Sequence, residues 1–138
     1  AIAAETAQFS TPGVHIGLFC STPMVALSRN VCNKHAMEML LTGDMTPAAR
    51  AAEMGLVNRV VSEDALQGAT MEMARKFASK SSMTLAIGKR AFYAQREMPL
   101  AQAYDYASGV MVDNMLARDA EEGIGAFIEK RAPQWQDA

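Results

Sequence analysis

The sequence predicts a mostly helical chain: six or seven helices with two or three short extended pieces. Three observations point there. Helix-start signals, a hydroxyl residue next to a proline or an acidic pair, recur along the chain. Beyond Ser62, apolar residues return every three or four positions. The stretches that suit strands, Ala1–Phe9 and Gly55–Val61, are too few to build a full sheet by themselves.

Taken in order, the apolar stretch Ala1–Phe9 fits a strand, and Thr11–Gly17 is punctuated into a turn by Pro12 and Gly13. Thr22-Pro23 offers a capping hydroxyl and a first-turn proline, so a helix is expected from there to about Val31. Asn33 can cap the next helix, whose Ala36, Met37, Leu40 and Leu41 share a face and whose stop is Gly43. The start signal repeats at Thr46-Pro47, ahead of an alanine-rich helix that ends by Gly55. After an extended Gly55–Val61, Ser62 is placed to cap a long helix, with Glu63 and Asp64 favourable to its dipole. Ser82 opens a helix to about Arg96 and Pro99 opens another, on which Leu100, Tyr104, Ala107, Met111 and Met115 form a stripe. Asp119 opens the last helix, with Ile124, Phe127 and Ile128 on one side.

Composition excludes several classes. The 138 residues are 50% hydrophobic, which is not a disordered composition, and the formal net charge is −2 with no basic stripe, so no nucleic-acid partner is expected. No apolar run approaches the roughly 20 residues that span a bilayer, and no membrane partner is expected. Two cysteines do not make a disulfide framework and suit a reducing, cytoplasmic compartment. The opening AIAAETAQF lacks the basic n-region of a signal peptide. It reads as the inside of a strand, so the chain is expected to be a fragment.

Two sequence blocks and one shorter stretch carry a resemblance. LLTGDMTPAARAAEMGLVNRVV (Leu40–Val61) and EEGIGAFIEKRAPQW (Glu121–Trp135) follow AQF (Ala7–Phe9) with Pro12 beyond it, in order and at suitable spacing. Together they resemble the crotonase, or enoyl-CoA hydratase/isomerase, superfamily; GLFCSTP (Gly17–Pro23) is similar to one subgroup of it. The resemblance implies an α/β fold, the crotonase-like ββα spiral. Residues 1–138 would be the mostly helical C-terminal half of one such domain. Residues 1–61 would be the end of the spiral core and the active-site loop, and residues 62–138 a helical region for oligomerisation and CoA covering. It further implies an acyl-CoA thioester as partner, a missing N-terminal half of the domain, and a homo-oligomer, trimer or dimer of trimers. No cofactor is implied, coenzyme A entering as part of the substrate; a eukaryotic source would imply a mitochondrial location. In the family the earlier half supplies both oxyanion-hole N–H donors, each worth roughly 10²–10³ in rate. This half alone is therefore expected to be inactive.

The resemblance also places the site. In hydratases the residue after the loop proline is a glutamate that exchanges a proton with water and the acyl-CoA; here it is Gly13. General acid–base groups contribute roughly 10²–10⁴, so hydratase activity is doubtful while enolate stabilisation and acyl-CoA binding are retained. A glutamate restored at position 13 is expected to raise hydration. Other residues could act. His15, if the loop ends in a strand, shares a side with Gly13 as a replacement base; it reads equally as a polar surface histidine. Cys20 could be a nucleophile, with Ser21 and Thr22 beside it; the plainer reading is a small buried cysteine with hydroxyls capping a helix. His15, Cys20, Cys32 and His35 match no zinc spacing, and no metal is expected. Phe127 and Lys130 match family residues that line the nucleotide end of CoA, Phe127 beside adenine and Lys130 toward a phosphate; the plainer reading is a core Phe and a surface Lys. Gly123 and Gly125, costly inside a helix, suggest close approach of a ligand or another backbone. Met37, Met71, Met111 and Met115 read as core filler, and Asp119, Glu121, Glu122 and Glu129 as a solvated acidic face. The alternative to an enzyme of this type is a non-catalytic helical oligomerisation or acyl-CoA-binding module.

Overall fold

A computed structural model describes residues 1–137. They form four short strands and seven α-helices. The strands are β1 (Ile2–Ala4), β2 (Gln8–Phe9), β3 (Thr46–Pro47) and β4 (Arg59–Val61). The helices are α1 (Ser21–Ser28), α2 (Asn33–Thr42), α3 (Ala48–Glu53), α4 (Leu66–Ala78), α5 (Ser82–Gln95), α6 (Leu100–Met115) and α7 (Arg118–Ile128). A 3₁₀ turn over Pro12–Ile16 precedes α1. The chain divides into two compact units, Ala1–Met73 and Ala74–Ala138, which are described separately.

In the first unit β1 pairs in parallel with β4, Ala3 opposite Val60. β2 pairs antiparallel with β3, Phe9 opposite Thr46. Two clusters make the core. Leu27, Val31, Ala36, Met39, Leu40 and Met54 pack α1, α2 and the end of α3 together, and Ala3, Ala48, Ala51 and Val57 pack α3 onto β1. The alanine-rich run is explained here. Ala48 and Ala51 are fully buried, and a larger side chain at either would separate α3 from the strand beneath it.

Several expected starts move. Thr46-Pro47 is strand β3, not a cap, because its backbone pairs with β2. α1 begins at Ser21 and ends at Ser28 instead of running to Val31, and the Ser21 hydroxyl donates to Phe19 O rather than capping the helix. Asn33 is the first residue of α2 and Cys32 its cap position, with no side-chain cap bond. Ser62 stands before a turn, and α4 starts only at Leu66. On α2 the buried face is Ala36, Met39 and Leu40; Met37 and Leu41 are exposed.

In the second unit α5 and α6 form a helical hairpin. α5 opens at Ser82 as sequence suggests, and the buried residue before it, Ser81, caps it by accepting the Thr84 N–H at 3.1 Å. Ala126 is the one buried apolar residue described in this unit. The α6 stripe of Leu100, Tyr104, Met111 and Met115 is exposed, as are Met37 and Met71, so these methionines are not core filler within the described residues. An open apolar groove of about 360 Å³ runs between α5 and α6, lined by Ile87, Ala91, Phe92, Ala107, Val110 and Met111, among others.

Candidate functional site

The loop after β2 is built onto the C-terminal end of α2. A helix leaves its last four carbonyls without intrahelical partners. Three loop side chains bond to carbonyls at this end: Thr42 O, the cap carbonyl Gly43 O, and Met39 O, which also accepts the Gly43 N–H. The Ser10 hydroxyl donates to Gly43 O at 2.7 Å, the Thr11 hydroxyl to Met39 O at 2.8 Å, and His15 Nε2–H to Thr42 O at 2.9 Å. Gly43 is required twice here. Its φ of +68° is left-handed, and a Cβ on it would lie 2.9 Å from His15 Nε2.

These bonds relocate His15. The segment is a 3₁₀ turn, not a strand, so Gly13 and His15 do not share a side as expected. A carbonyl only accepts, so Nε2 carries the proton and the exposed imidazole serves to hold the loop on α2. Ser10 and Thr11 do the same work, and nothing in their spacing marked them, because the α2 end they meet lies about thirty residues away.

Gly13 sits at a closed point of the loop. Its N–H donates to Cys20 Sγ at 3.2 Å and its carbonyl accepts the Leu18 N–H at 2.9 Å. It does not use a positive φ. The space its side chain would need is occupied: an added Cβ would lie 2.8 Å from Cys20 Sγ and 2.8 Å from Leu18 O. Cys20 is half-buried, packs against the first core cluster, and is a free thiol, as is exposed Cys32. Ser21 is exposed. Thus Gly13 and Cys20 are in contact, and His15 is turned to α2. Among the described residues no three His, Cys, Asp or Glu side chains converge as a metal site would need; His35 instead meets Arg50 and Glu38.

Phe127 and Lys130 belong to the second unit. Phe127 is 84% exposed, so the core reading fails for it in this chain. Lys130 is exposed and occupies the left-handed position after α7, φ +57°, with the Arg131 N–H donating to Ala126 O in a Schellman-type turn. Of the expected solvated acidic face, Glu121 and Glu129 are exposed, but Asp119 and Glu122 are not. Asp119 is only 2% exposed and accepts the Gln136 and Asp137 N–H groups. Arg131 forks onto Glu122 and, with the Gln134 N–H, holds that carboxyl well below its ordinary range, at about 2. The Ser82 hydroxyl first, and its N–H second, likewise lower Asp137. The close approach inferred at Gly123 is to the chain's own Trp135, whose ring lies 3.4 Å from where a Cβ would stand. At Gly125 nothing comes within 4 Å.

A short-stranded, alanine-packed first unit with a proline-glycine loop closed on a helix end, followed by a helical unit, defines a class of protein. The family model described as enoyl-CoA hydratase/isomerase matches residues 1–138, and the chain belongs to that family. Its fold is the α/β crotonase fold, of which these residues are the mostly helical C-terminal half. Among relatives, enoyl-CoA hydratase domain-containing protein 3, mitochondrial, of Mus musculus is 49% identical over 135 residues, covering 98% of this chain and 45% of the relative. The crystal structure of an enoyl-CoA hydratase of Mycobacterium smegmatis aligns at TM-score 0.94 with 46% identity, covering 97% of this chain and 52% of that one. Human enoyl Coenzyme A hydratase domain-containing protein 3 aligns at TM-score 0.92 with 49% identity, over 97% and 53%. The subgroup resemblance carried by Gly17–Pro23 therefore agrees with whole-chain identity, and the chain spans about half the length of these relatives. No described helix is long and apolar enough to cross a membrane.

Proposed function

We propose that this chain is the C-terminal half of a crotonase-type domain that binds an acyl-CoA thioester and stabilises its enolate, with little hydratase activity. The observation that carries the reading is the closed loop at Gly13. Where the family's hydratases place a glutamate, this loop turns back on itself, and Cys20 Sγ and Leu18 O occupy the side-chain space. We do not assign the lost carboxylate's role to His15, because in the 3₁₀ turn it does not share a side with Gly13 and its ring lies on the end of α2 at Thr42 O. Proton transfer to water is the step such a site lacks; thioester binding and polarisation do not depend on residue 13.

Phe127 and Lys130, both in the second unit, are read by themselves as a surface for the nucleotide end of coenzyme A. An exposed aromatic three residues before a left-handed lysine gives a face for adenine, and that lysine gives a charge for a phosphate. Coenzyme A enters with the substrate, and the chemistry needs no resident metal or other cofactor. The full-length protein is a homo-oligomer in this reading. Exposed Leu100, Tyr104, Met111 and Met115 and the α5–α6 groove form the second unit's uncovered apolar surface. The mitochondrial names of the relatives support that location in a eukaryotic source, and a cytoplasmic one otherwise.

The test uses full-length protein, crotonyl-CoA hydration and calorimetric binding of a saturated acyl-CoA. The expected result is acyl-CoA binding with kcat/KM for hydration about 10²–10⁴ below that of a glutamate-bearing hydratase. Hydration at the rate of a good hydratase would overturn the Gly13 argument, and absence of acyl-CoA binding would overturn the whole reading.

A further inference from the structure

The tail after α7 reverses direction and runs back along the helix it has just left. At the turn, Lys130 holds a φ of +57°. Arg131 then donates to both oxygens of Glu122, at 2.6 and 2.9 Å, and the Gln134 N–H donates to the same carboxylate at 2.7 Å. Trp135 packs on Gly123 and its Nε1–H donates to Ser79 O at 2.9 Å. Gln136 and Asp137 donate their N–H groups to the two oxygens of Asp119 at 2.7 and 3.0 Å. The Asp137 carboxylate accepts the Ser82 N–H at the start of α5, at 2.7 Å. The α7 residues involved, Asp119, Glu122, Gly123 and Ala126, stand at spacings of three, one and three, which is one helix face. That face is covered by the tail, while Phe127 remains exposed.

A carboxylate exposed to only 2% is disfavoured unless both oxygens are satisfied, and among the described residues the tail N–H groups satisfy them. Asp119 is thus specific for a tail that has folded back. The left-handed turn at Lys130 is the other end of the same arrangement. A lysine does not favour that conformation on its own; two local hydrogen bonds, Lys130 N–H to Phe127 O and Arg131 N–H to Ala126 O, close the turn, and the chain tied down beyond it holds them in place. We propose that Asp119 is a positioning residue for coenzyme A binding: it anchors the tail, and the anchored tail fixes the turn that presents Lys130 beside Phe127. This rests on the reading that Phe127 and Lys130 meet the nucleotide end of the thioester.

The test compares wild type, Asp119→Asn and Lys130→Gly in the full-length protein. It reads amide hydrogen exchange of the 130–137 segment and affinity for two probes, coenzyme A and pantetheine, which lacks the nucleotide. Asparagine keeps the shape of Asp119 but can accept only one of the two N–H groups. The expected result is tail exchange at least about tenfold faster in Asp119→Asn, coenzyme A affinity reduced about five- to tenfold, and pantetheine affinity unchanged. Unchanged tail exchange sinks the anchor. Faster tail exchange with unchanged coenzyme A affinity sinks the positioning role; if Lys130→Gly still weakens coenzyme A alone, the site reading stands without it. If neither variant affects coenzyme A, the nucleotide-end reading fails as well. Should Asp119→Asn not fold, truncation after Pro133 removes the same strap, and the same loss of coenzyme A preference is required of it.

Discussion

At residue 13 a missing side chain does two things. In the proposed reading it removes a general acid–base group, and it lets Cys20 Sγ and Leu18 O close the loop. Restoring glutamate was the natural expectation from sequence, and the geometry reverses it: Leu18 O is backbone and cannot swing aside. Gly13→Ala is expected to destabilise the full-length protein by about 1–3 kcal/mol in urea denaturation, and Gly13→Glu to give no gain in crotonyl-CoA hydration. A Gly13→Glu enzyme with hydration raised a hundredfold would show that the loop opens. Lys130 presents the opposite case, a side chain where glycine is preferred. Left-handed backbone costs a lysine about 1 kcal/mol, so Lys130→Gly should raise the melting temperature by about 2–8 °C while Lys130→Ala leaves it near wild type. Scanning calorimetry on the pair decides it, and equal melting temperatures would mean the turn relaxes.

Among the elements, α5 and α7 hold the legible and the illegible. The start of α5 was readable because its cap is local: Ser81 to Thr84 is three residues, and Ser81→Ala is expected to cost about 1 kcal/mol in denaturant titration. The face of α7 was misread because its partners, residues 131–137, arrive by reversing the chain. That face carries an acid sensitivity. Arg131 first and the Gln134 N–H second hold Glu122 at about 2, below its ordinary 4.5, and the Ser82 hydroxyl first and N–H second lower Asp137 in the same sense. Glu129 shares Arg131, and Asp119 lies under the tail. A depressed carboxyl contributes stability that is whole above its unfolded value and disappears as pH falls through its folded one. Tail amide protection should therefore hold from neutral pH down to about 4.5 and be lost toward pH 2. Glu122→Gln should remove that acid step, and a tail released already at pH 6 would contradict the assignment.

For the whole molecule, the decisive quantity is uncovered apolar surface. The first unit has buried clusters, whereas Ala126 is the one buried apolar residue described in the second. Phe92, Tyr93, Leu100, Tyr104, Met111, Val112 and Leu116 all stand open. A chain of 138 residues with that surface is expected to sediment as an associated species at micromolar concentration. Phe92→Ser with Met111→Ser, both lining the α5–α6 groove, should shift it toward monomer. A stable monomer of the unsubstituted chain in analytical ultracentrifugation would refute this.

The sequence by itself determined the family, the helical weight of the chain, the glycine stop at Gly43 and the α5 and α6 starts. Each is written in residues close together or in a fixed string such as Leu40–Val61. Tertiary structure alone decided that Thr46-Pro47 is a strand, since a strand exists only by virtue of its partner, here Gln8–Phe9. It alone decided that His15 sits on the end of α2, because the carbonyl of Thr42 had to be brought to it. It decided too that Asp119 is buried under its own C-terminal tail, because seventeen residues of intervening chain must fold back before its two oxygens find their donors. Hydrogen bonds and burial are pairwise, and the sequence names only one member of each pair at a time.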